Sequence, residues 1–345
     1  MTQLRSEGRY VHRQADYSVV VDGRDISREL RPRLISLSLS EKRGSHADEL
    51  ELVLDDSDGK LAIPPAGARI AVKLGWRDLG PGASAQLIDK GVFKADRRRH
   101  TGAPDRISVT AHSADLTRAF RQRRTTTWTQ TTLGDVLGEI AGRNGWQPHI
   151  SPDKAAIDLQ HLDQARESDA AFLNRLGRLY DAVATIKAGR LIFAQIGAGM
   201  TASGVEIPPA TITRRSGDQH TWEAAERDAY TGVIAEWQNR VAAKREQVVV
   251  GSDENAKKLA RIYASAKSAR TAADTEWKKI QRGAAEFSLS LAVGRPDLFP
   301  ERTLAVSGFK PEIDNAAWLI SELRHTLDAN GLRTQLQMEL GGKPE

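Results

Sequence analysis

Between residues 17 and 115, apolar and polar positions alternate with a period of two over short runs, and turn residues separate the runs. Tyr17 to Val21 lead into Asp22-Gly23, and residues 34–40 set Ile35, Leu37 and Leu39 on one face. Residues 49–54, 69–76, 88–95 and 106–111 follow the same rhythm, with turns at Asp58-Gly59, Gly80-Pro81-Gly82 and 102–104. A strand sends successive side chains to opposite faces, so this text predicts an antiparallel barrel or sandwich.

After Arg124 the period lengthens. Leu133, Val136, Leu137, Ile140 and Ala141 form a helical stripe, with Thr132 as N-cap and Asn144-Gly145 as its end. A second helix opens at Ser168 and carries Phe172, Leu173, Leu176, Leu179 and Tyr180 on one face. Residues 182–194 form a hairpin around Ala188-Gly189. Strand text resumes near Val205, at 230–237, 247–250, 285–293, 302–306, 318–326 and 332–340. It is interrupted by residues 252–282, which contain no Gly or Pro. There Leu259, Ile262, Tyr263, Ala266, Ala269, Ala273, Trp277 and Ile280 recur at threes and fours behind Ser252 as a cap. One unbroken helix of that length spans about 46 Å and needs a surface to lie on. Its own barrel can supply that surface, or a neighbouring subunit can, with Leu259, Ile262, Tyr263, Trp277 and Ile280 as the contact. The expected architecture is α+β, mainly β. An N-terminal arm (1–16) precedes a first β-barrel (17–115), an α/β domain (116–204) and a second barrel (205–345) with helical insertion 252–282.

A chain of 345 residues exceeds one ordinary core, which agrees with several domains. A net charge of +5, from 50 basic and 45 acidic residues, is too slight to imply nucleic acid by itself. With no cysteine, disulfides and thiolate metal sites are excluded. The N-terminal residues lack the apolar core of a signal peptide, and no apolar run reaches the roughly 20 residues a membrane span needs.

Candidate chemistry is sparse. Asp55, Asp56, Asp58 and Gly59 suggest a calcium loop, but with Gly59 at loop position 6, Leu54 and Pro65 occupy the ligand positions 1 and 12. The segment therefore reads as a strand ending in an Asp/Ser/Gly turn. The eight histidines show no zinc-binding spacing. Gly197, Gly199 and Ala202 match a loose dinucleotide pattern, but Gly204, Pro208 and Pro209 leave no room for the required helix. Neither metal nor cofactor is expected. Glu167 and Asp169 are a carboxylate pair of the kind that cleaves glycans, yet they sit at a helix start, where acids stabilise the dipole and caps. Two basic clusters, Arg97 to His100 and Arg121 to Arg124, lack the interleaved aromatics of a nucleic-acid groove. They read as a solvated face or a subunit contact, the first between strands and the second at a domain junction.

Several segments together carry a resemblance. Residues 31–40 and 47–67, with Leu52 to Pro65 at their centre, are similar to the late control protein D family of contractile-tailed phages. So are Gly102 to Asp105, Ala111 to Leu116, Thr131 to Leu137 and Val306 to Asp314. Residues 166–176, holding Glu167, Ser168, Asp169, Phe172, Leu173, Arg175 and Leu176, also resemble an element of the valine-glycine repeat spike proteins of type VI secretion. Beyond it, Gly177 to Val183 depart from the Glu-x-x-Gly-Ile of those spikes, which favours the phage branch. The resemblance implies a baseplate hub whose chain carries two tail-tube-like barrels and forms a homotrimer joining a sixfold tube to a threefold spike. Subunits would pair through strand edges, and Asp55 to Gly59 would shape a loop leaving a barrel strand. Implied partners are a separate spike protein, because the chain leaves no room for a fused one, the tail-tube protein and baseplate wedge proteins. The implied location is the virion tail baseplate, after assembly in the host cytoplasm. No catalysis, membrane insertion or specific nucleic acid is implied. Two other readings remain: a peptidoglycan-cleaving enzyme using Glu167 and Asp169, and a nucleic-acid module using Arg121, Arg123 and Arg124.

Overall fold

The computed structural model describes residues 13–44, 47–78, 85–113, 120–187, 189–201, 204–224, 230–239 and 241–341. The N-terminal part runs β1 (Arg13–Val21), β2 (Arg24–Asp25), α1 (Ser27–Leu30), β3 (Leu34–Lys42), β4 (Glu49–Asp55), β5 (Arg69–Asp78), β6 (Ala85–Thr101) and β7 (Arg106–His112). The middle runs β8 (Arg123–Thr132), α2 (Leu133–Arg143), β9 (Gln147–Ile150), α3 (Pro152–Ala155), β10 (Asp158–Ser168), α4 (Asp169–Tyr180), β11 (Ala182–Lys187) and β12 (Arg190–Gln195). The C-terminal part begins with β13 (Ala210–Thr213), β14 (Gly217–Ala224), β15 (Gly232–Asn239), β16 (Lys244–Gly251) and β17 (Ala256–Tyr263). It continues through α5 (Ala266–Arg282), β18 (Ala285–Leu291), β19 (Thr303–Ser307), α6 (Pro311–Asp314), β20 (Trp318–Asp328) and β21 (Gly331–Leu340).

Strands from both ends of the chain form one 13-stranded sheet, in the order β14-β18-β21-β20-β3-β4-β7-β6-β5-β1-β2, with β19 and β13 branching from β20. It is lined by two cores. One gathers Val19, Leu37, Leu39, Leu50, Ile70, Val72, Leu74, Phe93 and Ile107; the other gathers Ile212, Phe287, Leu289, Leu304, Trp318, Ile320 and Leu336. The hairpin β20–β21 serves both, because Leu327 and Leu332 at its tip reach the first core while Leu323 and Met338 belong to the second.

The two halves repeat. Neighbours run β3-β4-β7-β6-β5-β1 in one and β14-β18-β21-β20-β19-β13 in the other, in the same chain order. Bulges fall at matching places: between Ala95 and Arg97 in β6 against β7, and between Ile320 and Glu322 in β20 against β21. Just before β5 and β19, Gly67 and Glu301 both take left-handed backbone, at φ 78 and φ 73. Their N–H groups donate to Ala95 O and Ile320 O at 2.9 Å each. Glycine adopts this conformation freely, whereas Glu301 is strained unless its surroundings hold it. The halves differ in the sixth strand, since β1 runs antiparallel to β5 and β13 parallel to β19.

The middle part folds on its own core of Trp128, Leu133, Val136, Ile140, Phe172, Leu176, Leu191 and Phe193. Thr132 closes a capping box with Asp135 at the start of α2, and Ser168 caps α4 by accepting from Ala171 N. The paired strands β8 and β10 contain mostly polar residues and escape a search for apolar alternation.

The expected helix over 252–282 is corrected. Its first part is strand β17, lying parallel to β15, and the helix begins only at Ala266, capped by Ser265 and Ser268 in a capping box. Strand β17 shows little contrast between its faces, so its Leu259, Ile262 and Tyr263 extend the true helix's pattern by coincidence of spacing. Strands β15 and β16, expected in the second barrel, instead form a three-stranded sheet with β17. Helix α5 covers it, with Ala269 and Ala273 of the helix in one core with Val233, Ala235 and Val250 of the sheet.

Candidate assembly interface

The junction of the two sheet halves is a strand pair. β20 runs antiparallel to β3 with Glu322 opposite Lys42, Arg324 opposite Ser40, His325 opposite Leu39 and Thr326 opposite Ser38. Arg324 Nε donates to Ser38 Oγ at 2.7 Å, and Lys42 Nζ lies 2.9 Å from Glu322 Oε1. Leu37 and Leu39 are fully buried there.

A buried charge cluster locks this junction. Glu41 sits beside Lys90 Nζ, with His325 Nε2 at 3.4 Å and Lys187 Nζ at 3.7 Å. Lys90 also donates to Pro296 O at 3.1 Å and Leu298 O at 3.3 Å, so a β6 side chain holds a loop of the other half. Burial alone would raise the Glu41 carboxyl, but the His325 hydrogen bond and the Lys90 and Lys187 charges hold it at about 2. Burial pushes the His325 imidazole below its ordinary value, against the pull of Glu41. Lys187 also pairs with Asp48 at 3.0 Å, tying β11 of the middle part to the junction.

A second cluster joins α5 to the rest. Arg282, at the end of α5, forks onto both carboxylate oxygens of Asp181, the left-handed C-cap of α4. Its Nε lies 3.0 Å from Glu339 Oε1, and Arg43 meets Glu339 at 2.6 Å and Glu301 at 3.3 Å. Glu301 in turn accepts from Gly197 N at 2.8 Å. Burial raises the Glu301 carboxyl, with Arg43 opposing. The first glycine of the dinucleotide-like pattern, Gly197, thus has its N–H committed to a side chain in the turn before β19. Ala202 of that pattern lies outside the described residues.

The sequence-derived residues occupy three separate places. Asp169 is fully buried and accepts from Asn144 Nδ2 at 3.1 Å and Gln164 Nε2 at 2.9 Å, with Arg143 Nε at 3.4 Å. Glu167 instead pairs with Arg175 at 3.0 Å, Arg175 stacks on Phe172, and Phe172, Leu173 and Leu176 enter the middle core. In the turn, Asp55 accepts from Ser57, Asp56 from Leu61 N, and Asp58 takes a bidentate grip from Arg33 at 2.7 and 2.6 Å. That grip holds the Asp58 carboxyl down at about 2. Gly59 closes the turn at φ 65. The three carboxylates thus serve three partners of the chain itself. Leu259, Tyr263, Trp277 and Ile280 pack on the core beneath α5, and Ile262 is 40% exposed.

Arg97 to His100, expected between strands, lie within β6, whose last residues are exposed on both faces and show no apolar alternation. Arg124, from the second cluster, reaches 3.9 Å from buried Asp169. The junction residues Glu41, Lys90, Lys187, His325, Asp181 and Arg282 escaped the sequence reading. One signal for them exists: Arg99-His100-Thr101 is repeated as Arg324-His325-Thr326 at matching points of the two halves.

Several strand edges stay open among the described pairs, those of β14 and of the end of β6 among them. β14 has β18 on one side only, and its residues from Asp218 to Ala224 are exposed. β6 loses β5 after Lys94 and runs on to Thr101 with β7 alone.

The family model for the phage tail baseplate hub matches residues 49–331. The probable baseplate hub protein of Escherichia phage 186 is 37% identical over 365 residues, covering 94% of this chain and 92% of that protein. Among solved structures, a tail protein from Neisseria meningitidis aligns with TM-score 0.66 at 13% identity, over 94% of this chain and 96% of the other. An Escherichia coli component of the type VI secretion system aligns with TM-score 0.59 at 12% identity, over 94% of this chain and 77% of the other. Open strand edges on a repeated sheet, a family match over most of the chain and an extensive relative converge: the chain belongs to the phage tail baseplate hub family.

Proposed function

We propose that three copies of this chain form a ring that joins the sixfold tail tube to a threefold spike. The observation that carries the reading is the repeat: two six-strand units with the same neighbour order, joined edge to edge in one chain. Three chains then offer six like units, and a closed ring matches sixfold symmetry on one face and threefold symmetry on the other. Each unit is a tube-like barrel in this reading, and the domains follow at about 17–115, 116–204 and 205–345. The partners are a spike protein, the tube protein and baseplate wedge proteins, and the role is mechanical rather than catalytic. Asp169 supports that exclusion, because a fully buried carboxylate committed to amide and guanidinium donors is not presented to a glycan. Light scattering of the chain alone, and co-expressed with the adjacent candidate spike, should give a mass near three chains or a three-to-three complex. A monomer in both samples overturns the ring.

A further inference from the structure

Helices α4 and α5 come from distant parts of the chain, and both line one cavity of about 580 Å³. That volume falls within the range of small-ligand sites, about 300–1,000 Å³. Arg43, just beyond β3, forms a third side, and the short side chains of Ala182 and Ala184 on β11 leave the space open. Gly177 lets α4 lie this close to β11, because a Cβ there would fall 3.0 Å from Ala182 O and Ala184 Cβ.

The uncommitted polar groups around this space are donors. Asn174 and Arg178 stand one turn apart on α4, and Lys279 and Arg282 stand three positions apart on α5. The lining carboxylate, Asp181, is fully engaged: Arg282 forks onto both its oxygens, and Gln195 Nε2 donates to it at 3.3 Å. Arg43 is held by Glu339 and Glu301. Glu276 grips Lys257 at 2.7 Å and reaches Lys279 only at 3.9 Å. Arg178 is the cation left over. It is exposed, and among the described residues its guanidinium has neither hydrogen bond nor ion pair. The Asn174 amide is likewise without a partner among them. Lys279 Nζ donates to Arg178 O, which holds it at the cavity with donors to spare. Deeper in, Arg282 Nε is buried and makes no hydrogen bond to the Glu339 carboxylate beside it.

A ligand matched to this wall accepts hydrogen bonds, carries negative charge and exceeds a single water in size. We infer that the cavity binds a small multivalent oxyanion, a phosphate ester or a polycarboxylate, held by Arg178, Lys279 and Asn174. The guanidinium fork suits either anion, since both offer paired oxygens to two parallel N–H groups. Bound there, the anion bridges α4 of the middle part to α5 of the C-terminal part, where the protein's own contacts are ion pairs. The site lies within one chain, so it is independent of the ring.

Calorimetric titration of the full chain with pyrophosphate and, separately, with citrate tests the site at matched ionic strength. At least one of the two should bind saturably, once per chain, and raise the melting temperature by mass action. Pyrophosphate alone assigns the phosphate class; citrate alone assigns the carboxylate class. Arg178→Gln changes an exposed side chain without a partner, so it should melt as the wild type does yet weaken binding about tenfold or more. Asn174→Leu should weaken it less. Arg99→Gln, on β6 and outside the cavity, should bind as the wild type does and controls for diffuse charge. Saturable binding of neither anion overturns the site, as does an affinity that Arg178→Gln leaves unchanged or that Arg99→Gln lowers equally.

Discussion

At the scale of single residues, the fold is held by buried charges that are paired rather than by isolated ones. Arg282 and Asp181 are both nearly inaccessible, and removing one leaves the other charged and uncompensated. Arg282→Met should cost about 3–5 kcal/mol, read from chemical denaturation. His325 gives a pH signature. Its pKa is lowered in the folded state, so the unfolded chain takes up a proton first as the pH falls through 6.5, and the stability tied to neutral His325 declines below that point. His325→Gln removes this dependence, and the stability gap between wild type and variant should narrow from pH 7 to pH 5 in thermal melts. Glu41 acts lower down. Its contribution is complete above 4.5 and is lost as the pH falls toward about 2. The Asp55 to Gly59 turn is held by the chain's own donors. Chelating calcium should therefore leave the melting temperature of the wild type unchanged, whereas Asp56→Ala with Asp58→Ala should lower it by removing the bonds to Leu61 N and Arg33. Calcium-dependent melting of the wild type would refute the assignment.

At the scale of elements, most helix starts and core faces were legible. Thr132 and Ser168 cap where their spacing predicts; the stripe of α2 is buried, as are Phe172, Leu173 and Leu176 of α4, while Leu179 and Tyr180 are half-buried. Local chemistry decides these features, because a cap and an apolar stripe need only neighbours along the chain. The region 252–282 departs from its helical spacing for the converse reason. Strand β17 is stabilised by pairing with β15, some twenty residues away, and its own side chains barely distinguish strand from helix. The correction is testable: Ser265→Ala should cost about 1 kcal/mol as a lost N-cap, and Ser252→Ala only about 0.5 kcal/mol or less. Denaturant midpoints of the two variants decide between one long helix and a strand followed by a shorter one.

At the scale of the whole molecule, corresponding strands of the two units meet different surroundings. Leu39 lies in the closed junction, so Leu39→Asp buries an unpaired charge and should cost more than about 4 kcal/mol. Trp222, 39% exposed, lies on the open edge of β14, the strand that corresponds to β3. Trp222→Ser should change the melting temperature of the chain little, yet weaken self-association in sedimentation experiments. A large loss of monomer stability would contradict the idea that this edge awaits a partner.

A mainly-β chain with an α/β middle, its caps and turns, and the segments that mark the hub family are all readable along the chain. Each of these depends on side-chain period or local backbone chemistry, which a single stretch of chain contains. That β3 meets β20, that Lys90 and Lys187 converge on Glu41, and that Asp181 receives Arg282 emerges only on folding. Those contacts join residues separated by up to about three hundred positions, and their charges resemble any solvated charge until folding removes the water around them.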